Sequence, residues 1–266
     1  MAKPSPRVTT RTLLAMRQEN DPITMLTAYD FPTARLLDQA GVDCLLVGDS
    51  LAMVVQGHET TLPLTLDQMI YHAEMVARAA KRALVVVDLP FPEAQISIER
   101  TVAAAARVLK ETRAGAVKIE GGAEQAERIE ALVAAGIPVM GHIGLLPQHV
   151  LVEGGYRVQR DVEQLVTDAR VVEAAGAFAT IIECVPATAG REITAALRIP
   201  TIGIGAGPDT NGQVLVINDL LGLTAEYLPK FVKTYANLAD TIQTAVSDYC
   251  QEVKSHRYPT PQHSFK

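Results

Sequence analysis

The sequence predicts a single (β/α)8 barrel domain, and three observations carry that prediction. Eight short runs are continuously apolar rather than alternating, at 23–28, 44–47, 84–87, 116–119, 137–140, 179–182, 201–204 and 214–217. Strands that read this way are parallel and covered on their outer face. A phrase recurs before several of them: Ala40-Gly41, Ala114-Gly115, Ala135-Gly136 and Ala175-Gly176 each end an Ala-rich amphipathic segment, as a left-handed C-terminal residue does. The chain of 266 residues also matches the usual length of eight strand-helix units, about 250 residues. An open doubly wound sheet is the runner-up. It lacks its fingerprint, because no Gly-x-Gly-x-x-Gly follows the first strand. The late Gly203-Ile204-Gly205-Ala206-Gly207 reads as a tight turn leaving a strand, with backbone N–H groups brought close to an anion as the alternative.

In chain order, 10–17 reads as a short N-terminal helix, although Lys3, Arg7, Arg11 and Arg17 without an acid faintly resemble a transit peptide. Helices are expected at 32–39, 65–81, 97–112, 123–134, 162–174 and 189–197. Thr65 and Gln68 form a capping-box pattern at the start of the second of these. After Leu220 the periodicity predicts further helices at 225–235 and 237–253. A proline-bearing tail at 255–266 should wrap the surface or a neighbouring subunit.

Composition narrows the functional class. The net charge of −6 carries no basic stripe, which argues against nucleic-acid binding. No run reaches the roughly 18 apolar residues of a membrane span. Cys44, Cys184 and Cys250 lie far apart, without disulfide or zinc-ligand spacing, so a reducing cytoplasm is expected.

Barrel active sites lie at the C-terminal ends of the strands, so the polar residue ending each apolar run is the one to inspect. Strand two ends at Asp49-Ser50, strand three at Asp88, strand four at Lys118-Ile119-Glu120, strand five at Gly141-His142 and strand six at Glu183-Cys184. Period-two alternation puts Lys118 and Glu120 on one face, where burial is costly unless charges pair or bind a metal. An ion pair along that strand is the structural alternative. Acids aimed at one mouth repel, and a hard divalent cation relieves them; Asp49, Asp88 and Glu120 offer oxygen ligands that suit Mg2+. Helix capping is the competing reading for each acid.

Glu183, after an apolar run, suits a general base through desolvation. Lys118 suits a substrate carboxylate or an enolate, and Ser50 adds a hydroxyl. Cys184 falls on the opposite face and reads as a buried structural thiol. His142 and His149 flank a loop that could cover the mouth, where a substrate contact and a structural hydrogen bond are both open. His58 and His72 read as structural or surface residues.

These stretches resemble the ketopantoate hydroxymethyltransferase family. The likeness runs from Ile23-Thr24-Met25-Leu26-Thr27-Ala28-Tyr29-Asp30 almost to the C-terminus. It rests on Val47-Gly48-Asp49-Ser50-Leu51, Thr61-Leu62-Pro63, Asp88-Leu89-Pro90-Phe91, Val117-Lys118-Ile119-Glu120-Gly121-Gly122, Gly141-His142-Ile143-Gly144-Leu145 and Ile202-Gly203-Ile204-Gly205-Ala206-Gly207. The resemblance implies a barrel that moves a one-carbon unit from 5,10-methylenetetrahydrofolate to 3-methyl-2-oxobutanoate, giving 2-dehydropantoate for pantothenate biosynthesis. It implies one Mg2+ per subunit at Asp49, Asp88 and Glu120. The oxo acid would meet Asp49, Ser50, Asp88 and Lys118, with Glu183 as proton acceptor, and the protein would be a homo-oligomer, a decamer by analogy. No residue is assigned to the folate. Departures occur at Leu146-Pro147-Gln148-His149, Gln159-Arg160 and Asn218, none of them on the metal set or the base. A related phosphonomutase-type barrel is a second hypothesis, but its Lys-Lys-Cys-Gly-His-like loop is missing. A barrel that binds a metabolite without turnover is the third, and Glu183 beside a complete metal set argues against it.

Overall fold

The computed structural model describes residues 6–224 and 228–265. Eight parallel strands, β1 (Ile23–Thr27), β2 (Cys44–Val47), β3 (Leu84–Asp88), β4 (Ala116–Glu120), β5 (Val139–Gly144), β6 (Ala179–Glu183), β7 (Thr201–Ile204) and β8 (Gly212–Leu215), close in chain order into a barrel. The ring shuts where β8 pairs with β1, Met25 lying opposite Val214. The predicted architecture is therefore the observed one.

Helices α1 (Thr10–Glu19), α2 (Phe31–Gln39), α3 (Leu51–Val54), α4 (Leu66–Ala79), α5 (Ile98–Thr112), α6 (Ala126–Ala134), α7 (Val150–Glu153), α8 (Val162–Ala174) and α9 (Ala187–Ala196) accompany the strands. Thr65 and Gln68 close their capping box on α4, and Ser97 and Asp161 cap α5 and α8 through Arg100 N and Gln164 N. On α5 the face that carries Ala104, Ala105 and Val108 is buried, as its helical spacing requires.

The barrel interior explains where the polar residues go. Cys44 and Leu46 on β2, Leu84 and Val86 on β3, Ala116 on β4, Met140 on β5, and Ala179 and Ile181 on β6 fill the core. Stepping by two along the same columns points Asp88, Lys118, Glu120, His142 and Glu183 inward, beyond the last apolar layer and toward the C-terminal mouth. The alternate residues are covered too, with Leu45, Val47, Val85 and Val87 buried on the outer face. This is why the strands read as continuous apolar runs.

Three expected boundaries shift. β5 begins at Val139 rather than at 137, because Pro138 has no N–H; its carbonyl instead accepts from Val117 N at 3.0 Å. β8 lies at Gly212–Leu215 rather than at 214–217, since Ile217 already opens a short helix. Of the helix expected at 225–235, residues 225–227 lie outside the described residues and 228–235 are not helical. Pro229 removes an N–H there and its carbonyl closes a turn to Val232 N.

The chain falls into two compact units, Met1–Val216 and Ile217–Lys266, and all the candidate site residues lie in the first. The second contains α10 (Ile217–Leu220), α11 (Leu238–Lys254) and a 3-10 turn at Pro261–His263. Within it the tail folds back on α11: the Tyr258 ring lies 5.7 Å from Tyr249 and 5.3 Å from His263. Lys266, the last residue of the expected tail, lies outside the described residues, as do Met1 to Ser5. Among the described residues no helix is long and apolar enough to cross a membrane.

Candidate active site

Strand register assembles the charged cluster. Asp88 of β3 sits opposite Lys118 of β4, Glu120 opposite His142 of β5, and Gly144 opposite Glu183 of β6. Lys118 Nζ lies 2.9 Å from Asp88 Oδ1, 3.0 Å from His142 Nδ1 and 3.6 Å from Glu120 Oε1. His142 Nε2 in turn faces Glu183 Oε2 at 3.3 Å. The pairing of Lys118 with Glu120 along one strand is thus the looser one; the tighter partner is Asp88 on the neighbouring strand.

Asp49 joins from the turn after β2. Gly48 holds the next inward position of that strand, where an added Cβ would lie 3.0 Å from Ser50 Oγ and 3.6 Å from Asp88 Oδ2. Its bare backbone leaves room for the Ser50 hydroxyl, and Asp49 N donates to Asp88 Oδ2 at 3.0 Å. Asp49, Asp88, Lys118, Glu120 and His142 are all buried. None of the strand-end acids caps a helix: Ser50 precedes α3 without a side-chain cap, and Asp161 and Ser97 serve the longer helices. The capping alternative therefore falls away.

Burial dominates the electrostatics. It pushes Asp88 up to about 7 against the pull of Lys118, and it raises Glu120 well above the usual carboxylate range, aided by the Asp49 charge. Glu183 rises to about 7 for the same reason, with Lys118 opposing. For Lys118 burial acts downward, but the charges of Asp88, Glu120 and Asp49 outweigh it and hold the ammonium form. His142 falls well below its usual value through burial and the Lys118 charge, so its ring is neutral. An ammonium only donates, so His142 Nδ1 must accept from Lys118 and the ring proton sits on Nε2, facing Glu183.

Two side chains in contact with the candidate site escaped the sequence reading. Tyr29, buried just past β1, places its hydroxyl 2.9 Å from Ser50 Oγ, and His72 Nδ1 holds the Tyr29 carbonyl at 2.6 Å. The strand-end rule applied to strand one would have found it. Gln148, in the loop after β5, donates from Nε2 to Asp49 Oδ2 and from its backbone N–H to Glu120 Oε2, both at 3.0 Å. Only its place after a strand end signalled it.

Cys184 is half-buried with φ 50°, and burial, aided by the Glu183 charge, pushes its thiol up to about 12, which leaves it a poor nucleophile. It is less enclosed than the structural thiol expected there, because the chain turns out of β6 at that residue. Cys44, Cys184 and Cys250 are all free. His58 is exposed, His72 is structural, and His149 is half-buried at the start of α7.

The carboxylates offer an open donor set for a hard cation. Among the described residues no group of three His, Cys, Asp or Glu side chains is disposed to hold a metal ion as the side chains stand. Each of the three carboxylates nevertheless has one oxygen tied to a protein N–H: Asp49 Oδ2, Asp88 Oδ2 and Glu120 Oε2. Asp88 Oδ1 and Glu120 Oε1 are buried; Asp88 Oδ1 lies 2.9 Å from the Lys118 ammonium, and Glu120 Oε1 lies 3.6 Å from both Lys118 Nζ and His142 Nδ1. Oxygen-only donors with free lone pairs fit a Mg2+-like ion that keeps water or substrate in its remaining positions.

Comparison with known proteins agrees with the barrel and narrows the family. The family model described as ketopantoate hydroxymethyltransferase matches residues 7–261. A 3-methyl-2-oxobutanoate hydroxymethyltransferase of Rhodopirellula baltica is 64% identical over 260 residues, covering 98% of this chain and 97% of that one. One of Pelobacter propionicus is 52% identical, covering 97% of each. Among solved structures, phosphoenolpyruvate phosphomutase from Streptomyces platensis subsp. rosaceus superposes with a TM-score of 0.60 at 18% identity, over 94% of this chain and 92% of the other. A phosphonopyruvate hydrolase solved with oxalate and Mg2+ superposes at 0.61 and 15% identity, over 96% and 92%. Those structures share the fold; the sequence-level match over almost the whole length is what decides membership, and this chain belongs to the ketopantoate hydroxymethyltransferase family.

Proposed function

We propose that this protein transfers a one-carbon unit from 5,10-methylenetetrahydrofolate to 3-methyl-2-oxobutanoate, forming 2-dehydropantoate; the names of its relatives support the oxo acid and the hydroxymethyl transfer, and the folate donor is this reading's own addition. The observation that carries the proposal is the Glu183 carboxylate, with 19% of its side chain exposed at the mouth yet raised to about 7 by burial, facing the same mouth as Lys118 and the three acids. A base for a C–H bond next to a carbonyl needs a pKa near the working pH, and Glu183 has it.

Asp49, Asp88 and Glu120 would hold a Mg2+ ion, which when bound supplies Lewis acidity to the 2-oxo group. The remaining work belongs to the chain. Lys118 offers a fixed ammonium to the oxo-acid carboxylate or the developing enolate, and Ser50, steadied by Tyr29, offers a hydroxyl. Glu183 Oε2 takes the C3 proton, and neutral His142 presents its Nε2 proton toward that carboxylate. The carbanion then attacks the folate-borne methylene to form the new C–C bond, and water displaces tetrahydrofolate from that carbon, its oxygen becoming the hydroxyl while a proton goes to the departing folate nitrogen. Self-assembly into a homo-oligomer belongs to the same reading. On α11, Ile242, Val246, Tyr249 and Val253 form an exposed stripe at helical spacing, which supports it.

The test is exchange of the C3 proton of 3-methyl-2-oxobutanoate in D2O with Mg2+ and no folate, followed by turnover with methylenetetrahydrofolate. Exchange without turnover would keep the enolate chemistry and remove the folate donor. No exchange in a folded protein would remove both.

A further inference from the structure

Gln148 touches two of the three acids, and it does so from outside the strands. It lies in a 3-10 turn, Pro147–His149, and is buried although the turn leads into α7, which has no buried residue and exposes Leu151 and Val152. Gly154 and Gly155 follow with φ of 65° and 128°. Hydrophobic packing therefore does little to fix this segment, and polar contacts through Gln148 do the fastening.

Those contacts engage its whole side-chain amide and its backbone N–H. Both amide hydrogens are used, as Nε2 donates to Asp49 Oδ2 and to Leu89 O, each at 3.0 Å. Oε1 accepts from Gln95 Nε2 at 3.0 Å, and the backbone N–H donates to Glu120 Oε2 at 3.0 Å. Gln95 is itself tethered, since Arg128 Nη2 donates to its carbonyl at 3.3 Å. One residue thus links the ends of β2, β3 and β4 to the loop that leaves β5. Because it occupies one oxygen of Asp49 and one of Glu120, it decides which oxygens of those carboxylates stay available.

We propose that Gln148 is a positioning residue: it aims Asp49 and Glu120 for divalent-cation binding and couples that geometry to the placement of the loop after β5. The proposal rests on the metal assignment made under Proposed function. An outer-shell partner that orients ligand carboxylates is expected to govern metal affinity about 10- to 100-fold.

The test compares wild type with Gln148→Ala and Gln148→Glu on the full-length, metal-stripped protein. Mn2+ is the probe, followed by electron paramagnetic resonance without oxo acid, alongside hydrogen exchange of the amides at 145–153. The expected result for Gln148→Ala is a Mn2+ Kd raised about 10- to 100-fold together with faster exchange of the backbone amide at position 148 and its neighbours. Gln148→Glu has the same shape but lacks the Nε2 donor to Asp49 Oδ2 and Leu89 O, so it should lose the same exchange protection at 145–153 as Gln148→Ala. Gln95→Ala, which removes only the donor to Oε1, should fall between wild type and Gln148→Ala. A Kd within twofold of wild type in both Gln148 variants overturns the proposal. If wild type itself takes up no Mn2+, the metal assignment fails separately. The exchange result then decides, and unchanged protection at 145–153 in Gln148→Ala overturns the positioning role.

Discussion

Lys118 and Asp88 form the closest ion pair of the charged cluster, 2.9 Å apart and each with only 3% of its side chain exposed, although 30 positions separate them in sequence. Strand register brings them opposite one another on β3 and β4. A buried pair of this kind is weak evidence for stability, but removing one partner strands the other charge. Asp88→Asn should therefore lower stability by about 3 kcal/mol, read as a drop in Tm in the presence of EDTA. It should also remove Mg2+-dependent binding of the oxo acid, measured by calorimetry. Binding that survives unchanged would take Asp88 out of the metal set.

The pH dependence should follow Glu183. As the proton acceptor it must be ionised, so kcat/KM should fall about tenfold per unit below pH 7 and level off above it. Glu183→Gln should keep oxo-acid binding and cut C3 proton exchange by about 100- to 10,000-fold.

Stability should move with the opposite sign. Glu183 has its folded pKa raised from 4.5 to about 7, so the folded state binds more protons than the unfolded one across that window. Stability contributed by this group is present at the acidic end and is lost as pH rises toward 7. Glu183→Gln should thus be more stable than wild type at pH 8, by on the order of 2–3 kcal/mol, with the difference vanishing near pH 4. Equal melting at both pH values would show that the carboxylate is not desolvated.

His142 connects Lys118 to Glu183 through its two ring nitrogens. His142→Ala should reduce kcat by about 10- to 100-fold, the equivalent of 1–3 kcal/mol for a lost buried polar partner. It should also move the acidic limb of the rate profile to lower pH, because removing the ring beside Glu183 lets water reach a carboxylate that is raised mainly by burial. A pure fall in Tm with an unmoved limb would assign His142 a structural role alone.

Gly144 ends β5 with φ 95°, and an added Cβ would collide with the Glu183 carbonyl oxygen. Gly144→Ala must shift the end of β6 or abandon the left-handed backbone. The expected cost is about 2–4 kcal/mol, seen in thermal melts, with a greater loss in kcat than in oxo-acid binding because the displaced residue is the proposed base.

Much of this protein was legible along the chain. Apolar runs marked the eight strands because a strand covered on both faces needs no polar alternation, and the residues ending those runs are the ones that meet at the mouth. Where local chemistry competed, the boundaries moved: Pro138 delayed β5 and Pro229 broke an expected helix.

Partner choice was decided by the tertiary structure alone. From the sequence, Glu120 two residues on is the obvious mate of Lys118, yet barrel closure brings Asp88 nearer and inserts His142 between Lys118 and Glu183. Gln148 makes the same point, reaching Asp49 from 99 positions away. Periodicity reports which face a residue takes, because that is a property of one strand. Which charges touch, and so which carboxylate is desolvated and which is paired, depends on the stagger between strands, and that is set only when the barrel closes.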